Sequence, residues 1–266
     1  MIRDITIGQY YPAKSPIHKL DPRTKLAGTL IFIISVFLFH TVVGYAVATV
    51  FLAGMILIST VPVKFIFKGL KAIFMILLIT MVFNILLTPG EAIVTLGIFK
   101  ITKEGITMAV RMAIRLIYLV IGSSLMTLTT TPNQLTDGLE KSLRPLNKIH
   151  VPVHEIAMMM SIALRFIPIL LEETDKIMTA QKARGASFSE GNLLQRAKAL
   201  VPILVPLLVS SFHRAEELAT AMECRCYRGE TGRTKMRQLH AAGRDYAAMA
   251  VTLLLFAGAV AVKIIF

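Results

Sequence analysis

The sequence contains only two cysteines and few acidic residues. Its 16 Asp and Glu face 29 Lys and Arg, and charged residues make up 17% of the chain. Cys224 and Cys226 are separated by one residue, so they cannot form the long-range disulfide that holds small secreted domains together. We therefore expect reduced thiols in the cytosol. The surplus of basic residues leaves nucleic acid, anionic lipid or an acidic protein as candidate partners.

Motifs for nucleotide binding and hydrolysis are also absent. The sequence has no G-x-x-x-x-G-K-[ST] run to hold phosphates, and neither H-E-x-x-H nor G-x-S-x-G occurs. Glu172, Glu173 and Asp175 form an acidic cluster, but they precede Lys176 and Lys182, which favours a hydrated, ion-paired helix face. We expect no catalytic residue, metal or cofactor on this chain. A membrane-embedded enzyme, such as a lipid-modifying transferase that uses these acids, is the alternative.

Long apolar runs are abundant. Hydrophobic residues make up 55% of the chain and the mean hydropathy is +0.67, more than a soluble domain needs. The first 25 residues show no signal-peptide pattern, so the first apolar run is expected to stay as an anchor. The sequence predicts an all-α integral membrane protein with about five transmembrane helices, because a helix of ~20 apolar residues crosses a bilayer. The predicted spans are 26–43, 45–61, 72–87, 106–129 and 247–266.

Basic residues indicate the orientation of these spans. Most of them lie in 1–25, 62–71 and 130–244, which predicts a cytoplasmic N-terminus and an external C-terminus. The outer stretch 93–102 alternates β-branched and apolar residues and predicts a small hairpin. Arg111 and Arg115 lie four residues apart in the fourth span, and we interpret them as snorkelling to the interface in preference to contacting a substrate.

About 115 residues separate the fourth and fifth spans, too many for a connector. We expect three domains: an N-terminal membrane region with four spans (1–129), a cytoplasmic coupling domain of long helices (130–243) and a C-terminal transmembrane helix (244–266). Within the middle domain, a short helix opens at Pro132. Two long helices follow at 153–184 and 192–227.

The two long helices follow one plan and end on one pattern. Each is apolar in its first half, charged in its second half, and closes on an arginine between small residues: Ala183-Arg184-Gly185 and Cys224-Arg225-Cys226. An ordinary helix C-cap explains either end alone, because Gly185 can take the left-handed conformation. Two matching ends favour docking, in which each guanidinium binds a carboxylate of a two-fold or pseudo-two-fold partner. A basic domain that binds nucleic acid would not explain the pair, so no nucleic-acid partner is expected.

Four segments resemble the T component of energy-coupling factor (ECF) transporters for vitamins and metal ions. They are Ser15-Pro16-Ile17-His18-Lys19-Leu20-Asp21-Pro22-Arg23-Thr24-Lys25-Leu26, residues 163–168 (ALRFIP), residues 181–185 (QKARG) and residues 223–234 (ECRCYRGETGRT).

The resemblance implies a non-catalytic subunit of a bacterial or archaeal cell membrane. In that family the motif arginines, here Arg184 and Arg225, seat the helices in grooves of two ABC-type ATPase subunits, which bind ATP-Mg. In that family the T component also binds a small membrane protein, the substrate-binding S component. For this chain we predict that Met159, Phe166 and Leu204 contact it, because methionines and small residues adapt to exchangeable partners.

The second arginine motif departs from the family pattern. Cys224 and Cys226 stand where small residues such as Ala and Gly are expected, so the steric fit is kept but termination by glycine is lost. We expect the helix to end at Gly229 instead. A metal-binding Cys-x-Cys, with His213 or His240, is a disfavoured alternative, because the chain has no second cysteine pair.

Overall fold

The computed structural model of the chain describes residues 10–39, 41–96, 99–186, 188, 192–229 and 240–265. In chain order, the elements are α1 (Pro22–Leu38), α2 (Val42–Ser59), α3 (Val63–Leu87), β1 (Ala92–Leu96), β2 (Phe99–Thr102), α4 (Lys103–Thr129), α5 (Pro132–Leu143), a 3-10 helix (Arg144–Ile149), α6 (Val153–Ala183), α7 (Leu193–Cys224) and α8 (Gly243–Ile265). The protein is therefore helical apart from one antiparallel hairpin, β1–β2, which confirms the hairpin predicted at 93–102.

Local sequence explains where several helices begin. The Asp21 carboxylate accepts a hydrogen bond from the Arg23 amide at 3.0 Å, with Pro22 in the first helical position of α1. Thr102 caps α4 in the same way, because its hydroxyl accepts from the Gly105 amide at 3.1 Å. These contacts satisfy amides that have no partner inside the helix.

Five described helices are long and apolar enough to cross a membrane, judged by length and composition. They are α2, α4, α6, the Ala197–Cys224 part of α7, and α8. The predicted spans 45–61, 106–129 and 247–266 correspond to α2, α4 and α8. Helix α3 contains the predicted span 72–87, and a bend of 56° between Val63–Lys71 and Ile73–Leu87 makes it a sixth candidate. The protein is thus an all-α integral membrane protein.

The predicted first span, 26–43, is wrong at its C-terminal end. Helix α1 ends at Leu38, Phe39 is extended, and a new helix begins at Val42. Phe39 is buried beside Gly44, where a Cβ would clash with the Phe39 ring. Because glycine leaves room for that ring, Phe39 can pack against the start of α2 where α1 has ended.

Helices α6 and α7 were expected outside the membrane, yet both pass the same test of length and composition. The reason is their apolar first halves, which resemble membrane spans. Their cytoplasmic placement stays a prediction, as do the domain limits at 129 and 243.

Contacts divide the chain into two compact units. One unit comprises Gly8–Gly138 with Gln238–Phe266, so the helices before and after the long middle segment form one body; the other contains Leu139–Arg237. The core of the first unit lies among α1, α2, α4 and α8. Its buried side chains are Phe32, Val36, Phe39, Tyr45, Ala48, Leu52, Leu255 and Ala259.

Arg115 of α4 contacts the end of α1 inside this first unit, and its snorkelling to the interface stays a prediction. Its guanidinium donates to the carbonyl of Phe39, the C-cap of α1, at 3.3 Å. It also lies over the Phe37 ring at 5.4 Å from the ring centroid. A cation at the C-terminal end of a helix is stabilised by the helix dipole, so Arg115 caps α1. Arg111 is exposed.

Candidate functional site: two arginine-capped helix ends

Helix α6 ends in a glycine-based Schellman motif, with Arg184 as the C-cap residue. Gly185 has φ +89°, its amide donates to the Lys182 carbonyl at 3.0 Å, and the Ala186 amide donates to the Gln181 carbonyl at 3.0 Å. These two bonds satisfy carbonyls that the helix leaves without partners. The left-handed role predicted for Gly185 is therefore confirmed.

Helix α7 ends in the same hydrogen-bond pattern without glycine, with Arg225 as its C-cap residue. The Cys226 amide donates to the Glu223 carbonyl at 2.8 Å, and the Tyr227 amide donates to the Met222 carbonyl at 3.0 Å. Cys226 itself takes the left-handed conformation, with φ +55°. The expectation that the helix ends at Gly229 is therefore wrong, since the short side chain of Cys226 fits the position that glycine usually takes.

Both motif arginines are exposed, as are their neighbours Ala183, Cys224 and Cys226. Within the described part of the chain, neither guanidinium makes a hydrogen bond or ion pair. The matching caps fix where each guanidinium leaves its helix, so the two ends can present a charge to another molecule. Residues 230–234, at the end of the last segment with family resemblance, lie outside the described residues.

A polar clamp joins the charged half of α6 to α7. The Glu173 carboxylate accepts from the Ser210 hydroxyl and from the Arg214 guanidinium, the latter at 3.1 Å. Glu173 is therefore ion-paired, as predicted for this acidic cluster, but its partners lie on α7 and not among the lysines of its own helix. No local pattern indicates this pairing, because 41 residues separate Glu173 from Arg214.

A second contact lies close to the first arginine motif. Pro206 has no amide hydrogen, so the carbonyl of Pro202, four residues earlier in α7, lacks its intrahelical donor. The Gln181 side-chain amide of α6 lies 3.5 Å from that carbonyl and donates to it. Gln181 is three residues before Arg184, so this contact ties the first motif to α7.

These contacts make α6 and α7 antiparallel. Glu173 meets Ser210 and Arg214, whereas Gln181, further along α6, meets the earlier residue Pro202. Arg184 therefore lies near the start of α7 and Arg225 at its end. At 1.5 Å per residue, Pro202 and Arg225 are about 35 Å apart along the helix. The two arginines are thus presented at well-separated places on one linked helix pair.

The apolar residues predicted to contact a membrane partner differ in exposure. Met159 on α6 is 59% exposed and Leu204 on α7 is 58% exposed. Phe166 is half-buried. Further exposed apolar side chains lie on the same two helices: Ile156, Met160 and Ile167 on α6, and Leu200, Val201, Val205, Leu208, Val209 and Phe212 on α7. Because the helices are antiparallel, the two sets lie toward opposite ends of the pair. Each helix thus carries an exposed apolar surface, which in a single chain usually marks a contact with protein or lipid.

Sequence reasoning missed a buried polar network in the first unit. The Asp245 carboxylate in the first turn of α8 accepts from the Asp21 amide at 2.7 Å and from the Ala242 amide at 2.7 Å. The Lys25 ammonium donates to the Thr129 carbonyl at the end of α4, also at 2.7 Å. Asp21, Lys25 and Asp245 are all buried. Together they join the starts of α1 and α8 to the end of α4.

His18 extends this network into the segment before α1. Its Nδ1 accepts from the Ser15 hydroxyl at 2.7 Å, and its Nε2 donates to the Tyr11 carbonyl at 3.0 Å. Burial lowers the pKa of His18, which favours this neutral form. Polar residues of the segment 15–26 therefore hold the chain before α1 in place through hydrogen bonds. Their spacing in the sequence does not predict this role.

No group of three or more His, Cys, Asp or Glu side chains in the described ranges is arranged to hold a metal ion. Cys226 ends α7 in a left-handed conformation, as Gly185 ends α6. A structural role therefore explains the position of Cys226. The prediction that the chain holds no metal stays a prediction.

The chain is similar to known proteins over most or all of its length. Residues 13–236 match the family described as "Cobalt transport protein" (CbiQ). A relative from Ruminiclostridium cellulolyticum, named "Energy-coupling factor transporter transmembrane protein EcfT", is 52% identical over 266 residues, 100% of both chains. Relatives of the same name from Clostridium kluyveri and Bacillus subtilis are 55% identical over 260 residues (96% of this chain, 95% of the relative) and 50% identical over 246 residues (92% and 93%).

Proposed function

The chain belongs to the CbiQ family, which includes the transmembrane proteins of energy-coupling factor transporters, and on that premise we propose that it is the energy-coupling T subunit of an ECF-type ABC importer. Two ABC-type ATPase subunits bind and hydrolyse ATP-Mg, and a small S component binds the vitamin or metal ion. The chain itself makes no covalent chemistry. It transmits movement from the ATPases to the S component.

The observation that carries this proposal is the pair of matching arginine ends. Arg184 and Arg225 are each the C-cap of a long helix, each exposed, and each without an ionic partner among the described residues. A guanidinium that enters a groove can bind a carboxylate bidentately, and that contact is both strong and specific in direction. Two such ends on one chain suit two similar ATPase subunits.

The contacts between α6 and α7 supply the mechanical link. The Glu173 clamp and the Gln181–Pro202 contact hold the two helices together, so a displacement of either arginine end moves the pair. The apolar side chains around Met159 on α6 and around Leu204 on α7 hold the S component at two places along the pair. ATP binding draws the ATPases together, the ends follow their grooves, and the S component tilts. In this proposal the N-terminus, α6 and α7 are on the cytoplasmic side of a bacterial or archaeal cell membrane.

Copurification from the native membrane tests the proposal. The tagged wild type is expected to bring two ATPases and a small membrane protein, and Arg184→Ala/Arg225→Ala to lose the ATPases and ATP-driven uptake. Each truncation removes one side of a desolvated ion pair, which costs ~2–5 kcal/mol, or at least about 30-fold in affinity. Arg144→Ala/Lys198→Ala removes the same charge from exposed positions of the same unit and should leave the complex intact. Equal recovery of the ATPases by both double variants would leave the arginines as helix caps only.

A further inference from the structure

An apolar cavity of about 350 Å³ lies among α1, α2, α4 and α8 in the first unit. Its walls include Phe32, Phe51, Met55, Gly122, Leu125 and Val251. From the start of α1 to Phe32 the cavity extends along ~10 residues, or about 15 Å. Its volume is within the range of ~300–1,000 Å³ typical of small-ligand sites.

One end of this cavity carries Arg244 and Lys25 beside the buried carboxylates of Asp21 and Asp245, and the rest is mostly apolar. Arg244 lines the cavity from the first turn of α8, and Lys25 lines it from the first turn of α1. Lys25 is buried and donates to the carbonyls of Thr129 and His18. Arg244 is exposed and makes no ion pair with any residue that the structure describes. An acyl chain joined to an anionic headgroup fits this site, because the acyl chain fills the apolar space and the headgroup lies at the cation of Arg244.

We propose that this cavity binds an anionic phospholipid of the surrounding membrane, with one acyl chain between α1, α2, α4 and α8 and the phosphate at Arg244. Basic pockets between membrane helices bind such headgroups, and a guanidinium matches the geometry of a phosphate. All the lining residues belong to the first unit, and the proposal does not rest on ATPase coupling.

The absence of tryptophan from the chain gives a direct test. Phe51→Trp places one fluorophore on the wall of the cavity, and Phe83→Trp places one on an exposed face of α3, where Phe83 is 59% exposed. The full-length chain is reconstituted into vesicles of phosphatidylcholine that contain increasing fractions of chain-brominated phosphatidylglycerol or chain-brominated phosphatidylcholine. Quenching of fluorescence reports which lipid occupies the neighbourhood of each indole.

At position 51, brominated phosphatidylglycerol is expected to reach half-maximal quenching at an about fivefold lower fraction than brominated phosphatidylcholine. One basic residue gives a preference of about this size for an anionic lipid. At position 83 the two lipids should quench alike. Arg244→Gln should abolish the preference at position 51, whereas Lys263→Gln, an exposed charge at the other end of α8, should keep it. Equal quenching by the two lipids at position 51, no quenching by either, or a preference that survives Arg244→Gln would overturn the proposal.

Discussion

Cys226 shows how a single residue can preserve a motif while departing from its usual sequence. It closes α7 in the left-handed region, with φ +55°, where Gly185 closes α6 with φ +89°. For a residue with a Cβ this conformation costs roughly 1–2 kcal/mol. The hydrogen bonds of the Schellman motif at Glu223 and Met222 are made nevertheless, so the backbone around Arg225 matches that around Arg184.

This geometry predicts opposite responses at two neighbouring cysteines. Cys226→Gly should leave the midpoint of thermal unfolding in detergent unchanged or raised, and Cys226→Val should lower stability by about 1 kcal/mol or more, because a β-branched side chain tolerates positive φ poorly. At the helical position 224 the order should reverse, since glycine costs up to ~1 kcal/mol in a helix. If valine and glycine behaved alike at position 226, the left-handed assignment would be wrong.

Residues that act through local backbone were predictable, and residues that act through distant partners were not. Arg184 and Gly185 were placed correctly because a helix C-cap depends on a few neighbouring positions. The Cys226 cap was missed because cysteine has no particular preference for positive φ. Asp245 binds the Asp21 amide 224 residues away, and no local pattern encodes such a pairing.

At the scale of whole helices, the prolines of α7 have a specific structural consequence. The helix runs unbroken from Leu193 to Cys224 through Pro202 and Pro206. Pro206 leaves the Pro202 carbonyl without an intrahelical donor, and Gln181 of α6 takes that acceptor. The bend that these prolines predict stays a prediction. In the structure, Pro206 leaves the Pro202 carbonyl available to accept a hydrogen bond from Gln181 of the neighbouring helix.

A double-mutant cycle measures this interaction. Gln181→Ala should destabilise the chain by ~0.5 kcal/mol, the lower end of the net value of a hydrogen bond, because this one is long at 3.5 Å and exposed. Pro206→Ala restores an amide that can bond the Pro202 carbonyl, so in that background Gln181→Ala should cost much less. Free energies of unfolding in detergent give the coupling. Strictly additive effects would show that Gln181 does not serve this carbonyl.

Apolar runs predicted that membrane helices exist, but they did not predict every boundary. Spans equivalent to α2, α4 and α8 were found from length and composition. The turn between α1 and α2 was missed because it lies inside an apolar run and depends on Phe39 packing against Gly44. The same rule cannot separate α6 and α7 from membrane spans, since an apolar surface meant for a protein partner has the composition of one meant for lipid.

On the scale of the molecule, the two units differ in the kinds of contact that hold them together. The first unit is a membrane body whose polar network joins α1, α4 and α8 at one end. The second is a linked antiparallel pair with a charged arginine at each of two separated ends. In the proposed function this pair transmits a displacement, because side chains hold its two helices together and both helices carry exposed apolar residues.

Those exposed apolar residues give a prediction about the S component. Met159→Asp and Leu204→Asp should each reduce copurification of the small membrane protein at least tenfold while leaving the ATPases bound, because a buried unpaired carboxylate is strongly unfavourable. Ile149→Asp is the matched control, since Ile149 is 73% exposed in the same unit and lies outside α6 and α7. Undiminished recovery of the S component from both variants would place its contact elsewhere.

The central claim, that Arg225 enters a groove of an ATPase, is tested most directly on the unmodified chain. Its two cysteines flank Arg225 and are both exposed, so a maleimide reagent of high mass reports only on that end. Labelling is compared in inside-out vesicles from cells that express the chain with or without its partner ATPases. We predict at least tenfold slower labelling when the ATPases are present, and a similar protection of Ala183→Cys in a Cys224→Ser/Cys226→Ser background. Equal labelling rates with and without the ATPases would contradict the account.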